Sequence, residues 1–136
     1  MIEGLDHVAI PVRDMDAMLS FYQALGCTVD DELAPHLYAV SFGANKINFH
    51  APRLWESGKF DLRGPEALPG CGDFCFVWSG EQVTLDRVLN DADARVIEGP
   101  VERTGGTGEK GTSTYVRDPD GNLLEFIIYR CNDPAA

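Results

Sequence analysis

The sequence predicts an α+β protein built from two βαβββ repeats. Three observations carry that prediction. Short segments with an apolar residue at every second position mark strands, and two longer segments carry apolar stripes at helical spacing. The order β-α-β-β-β then occurs twice, displaced by about 66 residues from His7 to Asp73, which reads as an internal duplication.

The first repeat, about residues 4–50, opens with an alternating strand from Leu5 to Val12. Val8, Ile10 and Val12 lie on one face, and Leu5, His7 and Ala9 on the other, so a histidine stands opposite the hydrophobic face. A helix follows. Asp14 suits its N-cap, Met15, Met18, Leu19, Tyr22 and Leu25 form its stripe, and Gly26 ends it. A short strand from about Cys27 comes next, then strands over Leu37–Phe42 and Lys46–His50 joined by a tight turn at Gly43-Ala44-Asn45.

Residues 51–70 contain three prolines and three glycines and no sustained period, as expected of a lid or linker between two halves of one domain spanning 1–136. The second repeat, about residues 72–130, begins with an alternating strand, Asp73–Trp78. Its helix is expected from about Gln82 to Ala92, with Val83, Leu85, Val88 and Leu89 apolar. A short strand near Arg95–Ile97, a glycine-rich loop over Arg103–Gly111, and strands Thr112–Arg117 and Asn122–Tyr129 about the turn Asp118-Pro119-Asp120-Gly121 complete it.

Composition narrows the function. Asp and Glu total 22 against 11 Lys and Arg, a formal charge of −11. Such a chain is repelled by phosphate backbones and anionic lipid, which argues against nucleic acid and membranes as partners. It also disfavours a strongly anionic substrate unless local arginines reverse the field. No apolar run reaches the ~18 residues of a membrane span, and the first residues lack a signal-peptide pattern, so the expected location is the cytoplasm. Cys27, Cys71, Cys75 and Cys131 have neither zinc nor redox spacing. All four are expected as reduced thiols, Cys75 as a small core residue.

Strand alternation also sorts the polar residues. His7 opposes the first apolar face. Asn48 and His50 share the face opposite Ile47 and Phe49. Asp73 opens the fifth strand, and Glu125 lies between Leu123 and Ile127 on the face opposite Leu124, Phe126 and Ile128. A carboxylate in an apolar strand should be paired, protonated or bound to a metal.

The segments Leu5-Asp6-His7-Val8-Ala9-Ile10-Pro11-Val12, Phe21-Tyr22, Leu25-Gly26 and Arg117-Asp118-Pro119-Asp120-Gly121-Asn122-Leu123-Leu124-Glu125 resemble the vicinal oxygen chelate superfamily, which spans glyoxalases, bleomycin resistance proteins and extradiol dioxygenases. Asn45–His50, Gly72–Phe76 and Glu98–Gly105 are similar to a narrower group of one-domain proteins related to biphenyl-diol dioxygenases, often described as virulence-associated or glyoxalase-domain proteins. The resemblance implies a curved eight-stranded mixed sheet around a cavity, with the helices outside. It implies a divalent metal on ligands from the first and fourth strands of each repeat, Fe(II) favoured, with Mn, Ni or Zn as alternatives, and a homodimer.

Carried over position by position, His7 and Glu125 match metal ligands. Asp73 stands at the second-repeat counterpart of His7, Asn48 at the counterpart of Glu125, and His50 two residues further along the same face. The ligand set is then His7, His50 and Glu125, or His7, Asp73 and Glu125. Tyr115 matches a tyrosine that hydrogen-bonds a metal-bound substrate hydroxyl, and Glu125 and Tyr115 are the catalytic candidates. The family's upstream histidine has no counterpart in Gly105–Gly111. The functions implied are an extradiol-type dioxygenase acting on a catechol, a glyoxalase-like lyase, isomerase or epimerase acting on an enediol, or a metal-free binder of an aromatic antibiotic. Residues 51–70, with Trp55 and Phe60, and the loop Arg103–Gly111 are expected at the cavity mouth.

Overall fold

The computed structural model describes residues 1–130. The chain divides into two compact units. One comprises Met1–Gly72 with the short segment Pro119–Asn122, the other Asp73–Asp118 with residues 123–130.

The first unit holds β1 (Val8–Pro11), α1 (Met15–Ala24), β2 (Thr28–Asp30), β3 (Leu37–Phe42), β4 (Asn45–His50) and a one-turn helix, α2 (Pro52–Trp55). Its sheet has the order β1-β4-β3-β2, with β1 parallel to β4 and the other pairs antiparallel. The Asp14 carboxylate accepts the Ala17 N–H at 3.1 Å, so the N-cap acts as its sequence position predicts. Gly26, at φ +98°, ends the helix in a conformation that side chains disfavour. The helical stripe is buried at Met18 and Tyr22, and Phe21 joins it. The Tyr22 ring meets Phe49 edge-on at 5.4 Å, which closes the core between α1 and β4 over Ile10, Val40 and Ile47. The Asp120 carboxylate accepts the N–H groups of Arg13 (2.7 Å) and Asp14 (3.1 Å) and so braces the entry to α1.

The second unit holds β5 (Asp73–Val77), α3 (Gln82–Asp91), β6 (Glu98–Thr104), β7 (Lys110–Arg117) and β8 (Leu123–Tyr129). Its sheet has the order β5-β8-β7-β6, with β5 parallel to β8. Leu85 and Leu89 of α3 are buried with Val116, Leu124 and Phe126, and Phe76 lies 5.6 Å from Phe126. Gln82 donates to the Thr114 hydroxyl at 3.1 Å, which fixes the sheet face that α3 covers.

Each sheet repeats the other's strand order, as the duplication predicts. The eight strands form two four-stranded mixed sheets, one per repeat. Each repeat satisfies its own first strand by pairing it with its fourth. Three local expectations change. Val83 is 67% exposed rather than on the apolar side of α3. Residues 52–55 form α2, with Pro52 in the first turn where its missing N–H costs nothing. The strand expected at Arg95–Ile97 starts at Glu98 instead and runs through Thr104, taking in Arg103. Val96 and Ile97 are exposed. A bulge between Glu98 and Val101 accommodates Pro100 on this edge strand. Gly99 at φ +103° lets the backbone approach Ser113, whose carbonyl oxygen would collide with any Cβ there.

Candidate active site

Strand register settles which side chains stand together in each sheet. In the second unit a single row crosses all four strands. Cys75 of β5 pairs with Glu125 of β8, Glu125 with Tyr115 of β7, and Tyr115 with Glu98 of β6. Directly paired residues share a face, and this face is opposite the one covered by α3, where Thr114 pairs with Phe126.

The fully buried Ser113 hydroxyl donates to Oε2 of Glu125 at 2.6 Å, a charge-assisted bond. Arg103 donates through Nε to the Tyr115 phenol oxygen at 3.2 Å and through Nη2 to Oε1 of Glu98 at 3.2 Å. Its guanidinium also lies 5.7 Å from the centre of the Tyr115 ring. Because Arg103 only donates, Tyr115 accepts from it, and the phenol's own proton is left for the Glu125 carboxylate, with which it also hydrogen-bonds. Loss of solvent pushes the Tyr115 pKa up, the Arg103 hydrogen bond opposes this, and the Glu125 carboxylate adds to the rise. The phenol is therefore a hydrogen-bond donor at neutral pH.

Cys75 was expected in the core but is exposed, on the Glu125 face. What solvent its sulfur does lose, and then the Glu125 carboxylate, push the thiol up to about 11. It stays protonated at neutral pH and is a poor metal ligand. Asp73 is exposed and lies one row away, paired with Leu123.

In the first unit the corresponding row is Ala9, Asn48, Ala39 and Asp30. The register thus makes Asn48 the structural counterpart of Glu125. His50 lies one row further on, between Pro11 and Leu37, where the second unit has Ile127. Asn48 Oδ1 is buried without a hydrogen-bond partner. His7 precedes β1, is exposed, and pairs through Nδ1 with Oδ1 of Asp6 at 2.7 Å. A proton held on Nδ1 by this carboxylate leaves the lone pair on Nε2. His50 is 7% exposed. Burial lowers its pKa first, and the charges of Arg63 and His7 lower it further, so its imidazole is neutral.

The segment after α2 returns over His50. The Phe60 ring meets the imidazole edge-on at 5.4 Å. Trp55 Nε1 donates to the Val12 carbonyl at 3.0 Å, and the Arg63 guanidinium lies 5.8 Å from the Trp55 ring centre. Phe60 therefore covers His50's side of the first sheet, while Trp55 is tied to the chain just beyond β1. The other expected cover is a hairpin whose connecting residues are 105–109, since Arg103 and Thr104 belong to β6 and Lys110 and Gly111 to β7.

Among the described residues, no three His, Cys, Asp or Glu side chains are gathered to hold a metal ion. The chemistry of the donors still suits a divalent ion. Taken unit by unit, the first has a neutral His50 and an unmatched Asn48 oxygen and the second has the Glu125 carboxylate, each a nitrogen or oxygen donor of the kind borderline ions accept.

Ser113, Arg103 and Arg63 were not foreseen. Ser113 sits two residues from Tyr115, on its face by simple alternation, so the sequence carried that signal. Arg103 needed the bulged β6–β7 register, and Arg63 the fold of the cover. Cys27, Cys71 and Cys75 are free thiols, and Cys131 lies outside the described residues. No helix among the described residues is long and apolar enough to cross a membrane.

Residues 4–64 match the family model described as the Glyoxalase/Bleomycin resistance protein/Dioxygenase superfamily. Over 129 residues the chain is 35% identical to Virulence protein STM3117 of Salmonella typhimurium, covering 95% of this chain and 86% of that protein. The crystal structure of that protein aligns with a TM-score of 0.83, at 35% identity over 96% of this chain and 99% of that one. Glyoxalase domain-containing protein RDO1 of Mycosarcoma maydis is 38% identical over 130 residues, 95% of this chain and 70% of that protein. A lactoylglutathione lyase from Agrobacterium tumefaciens shares the fold, with a TM-score of 0.67 and 22% identity over 93% of this chain and 94% of that one.

Proposed function

Because this chain belongs to the Glyoxalase/Bleomycin resistance protein/Dioxygenase superfamily, we propose that it is a metal-dependent enzyme acting on a small substrate with vicinal oxygens, by Fe(II) extradiol-type oxygenation. The observation that carries this reading is the row containing Glu125 and Tyr115. A carboxylate in mid-strand, with one oxygen fixed by Ser113, stands directly across from a phenol that an arginine orients. This row stands on the face opposite the one that α3 covers.

The ligands proposed are His7 and Glu125, completed by His50, with Asp73 as the alternative to His50. When bound, a divalent ion supplies Lewis acidity that lowers the pKa of a coordinated diol and stabilises its anion. The residues do the rest. Ser113 limits the rotation of Glu125, Tyr115 donates to a substrate oxygen, and Arg103 prevents the phenol from turning its proton away. The Phe60 ring excludes water from one side of His50, which helps to keep that imidazole neutral.

A second reading has its own support. Residues 105–111 contain no histidine to act in oxygen chemistry, whereas Glu125 facing Tyr115 is an acid–base pair suited to lyase, isomerase or epimerase proton transfer. Metal analysis after anaerobic purification, followed by oxygen uptake with a panel of catechols, tests the proposal. Bound iron and catechol-dependent oxygen consumption, both lost in Glu125→Gln, are expected. Metal without oxygen uptake favours proton transfer. Full-length folded protein that retains no metal under any loading condition overturns both and leaves a binder.

A further inference from the structure

Arg63 is a cation without a counter-ion. No acidic side chain among the described residues pairs with it, although the chain carries 22 acidic residues. Of its five N–H groups, one finds an acceptor among the described residues, the Ala67 carbonyl, through Nη2. Its Nε is buried with no partner. An unmatched buried donor is destabilising, and a guanidinium free to move would turn it to water. This one is held by the Ala67 carbonyl on one side and by the Trp55 ring on the other, and Trp55 is itself tied to the Val12 carbonyl. The cover is thus built so that a positive charge stays in place unneutralised.

The position of that charge gives it meaning. It stands 5.8 Å from the Trp55 ring centre, in the same 51–70 segment whose Phe60 packs on the His50 imidazole. Two residues back on the same face of β4 is Asn48, whose Oδ1 is a buried acceptor with no donor. One unit therefore leaves unmatched both a charged donor and a neutral acceptor. A molecule with an oxyanion and a hydroxyl group matches both. Guanidinium is also the side chain that best fits a carboxylate, through two parallel N–H bonds.

We propose that Arg63 anchors a carboxylate or similar oxyanion on the substrate, so that the substrate class is a vicinal diol or hydroxy acid bearing an anionic group rather than a neutral diol. This rests on the reading of a small vicinal-oxygen substrate given above and adds the anionic group to it. It also explains how a chain of charge −11 can bind an anion: one uncompensated guanidinium reverses the field locally, while the rest of the surface repels.

Titration calorimetry with 2,3-dihydroxybenzoate and with catechol, which differ by one carboxylate, tests the proposal on the full chain, both metal-loaded and metal-free. Lactate and inorganic phosphate serve as non-aromatic anions. In the wild type at least one anionic probe binds, and 2,3-dihydroxybenzoate binds more tightly than catechol by roughly tenfold to a hundredfold, the range of a charge-assisted pair. Arg63→Gln removes that advantage and leaves catechol affinity and metal content unchanged. Arg63→Lys, which keeps the charge without the fork, retains part of it and serves if Arg63→Gln does not fold. Anion binding that depends on Arg63 in protein without metal upholds the inference even where the metal reading fails. Anionic probes that bind no more tightly to wild type than to the folded Arg63 variants, or not at all, overturn it while leaving the metal reading intact.

Discussion

The two sheets have the same strand order but differ in the side chains their rows carry. Across the second sheet the row reads Cys75, Glu125, Tyr115, Glu98, and across the first it reads Ala9, Asn48, Ala39, Asp30. The next row places Ser113 in the second sheet where the first has Leu37. This difference explains the orphaned Asn48 oxygen. Glu125 is satisfied by the hydroxyl of Ser113, whereas Asn48 faces Ala39, with Leu37 in the row beyond, and neither side chain can donate. A duplicated backbone has thus kept its strand order while this row carries a hydrogen-bonded carboxylate in one copy and an unmatched acceptor in the other.

The common geometry resides in the helix-covered faces, and the largest expected effects test it there. Phe49→Ala in the first unit and Phe126→Ala in the second each remove a buried ring, and each should destabilise by ~3–5 kcal/mol in urea unfolding. The two losses should agree to within the ~2 kcal/mol spread usual for one kind of truncation. A loss below ~1 kcal/mol at either position would show that the two cores are not equivalent.

Glu125→Gln addresses the polar row. The amide nearly preserves volume and can still accept from Ser113, so thermal unfolding should move little. Metal retention should fall by roughly tenfold to a hundredfold or more, as for loss of a ligand or its close support. Asn48→Ala should change retention far less. Equal losses at the two positions would show that the copies contribute alike.

The legibility of the chain followed the same division. Strand and helix positions were readable because alternation and the helical stripe report burial on one face, and the capping Asp14 and the terminating Gly26 act locally. What failed depended on tertiary context. The expected strand at Arg95–Ile97 was displaced by a bulge that needs Gly99 against the Ser113 backbone. Glu125, Tyr115 and His50 lie on the strand faces that counting gives them, Ser113 could have been placed in the same way, and His7 falls just before β1. Arg63 was not legible, because its importance lies in what it lacks, a counter-ion, and a sequence lists charges without their partners.

Ser113→Ala compares the two copies at their hydrogen bonds. It removes a fully buried hydroxyl and a 2.6 Å bond to a partly exposed carboxylate, which should cost about 1–2 kcal/mol. Asn48→Ala should cost less, since the lost oxygen had no partner and its removal relieves an unmet acceptor. Paired unfolding curves decide the order. Were Asn48→Ala the more damaging, the orphaned oxygen would have a partner in solution, and the contrast between the sheets would be weaker than described.

The smallest effect separates two thiols, one in each unit. Cys27 and Cys75 are both pushed up from an ordinary 9.0 to about 11. Burial alone does this at Cys27, while at Cys75 burial is joined by the Glu125 carboxylate and then by Asp73. A thiol whose pKa is higher folded than unfolded keeps its proton longer in the native state. Its contribution to stability is therefore complete below pH 9 and is lost as the pH rises through about 11. Alkylation by iodoacetamide, followed by peptide mapping over this range, reads each thiolate separately. Glu125→Gln removes the carboxylate beside Cys75 and leaves its burial, so the Cys75 midpoint should move down while that of Cys27 stays fixed. A shift at both would point to general loosening of the fold. No shift at Cys75 would mean that Glu125 does not act on its neighbour across the β5–β8 ladder, and the row would then be a register without electrostatic coupling.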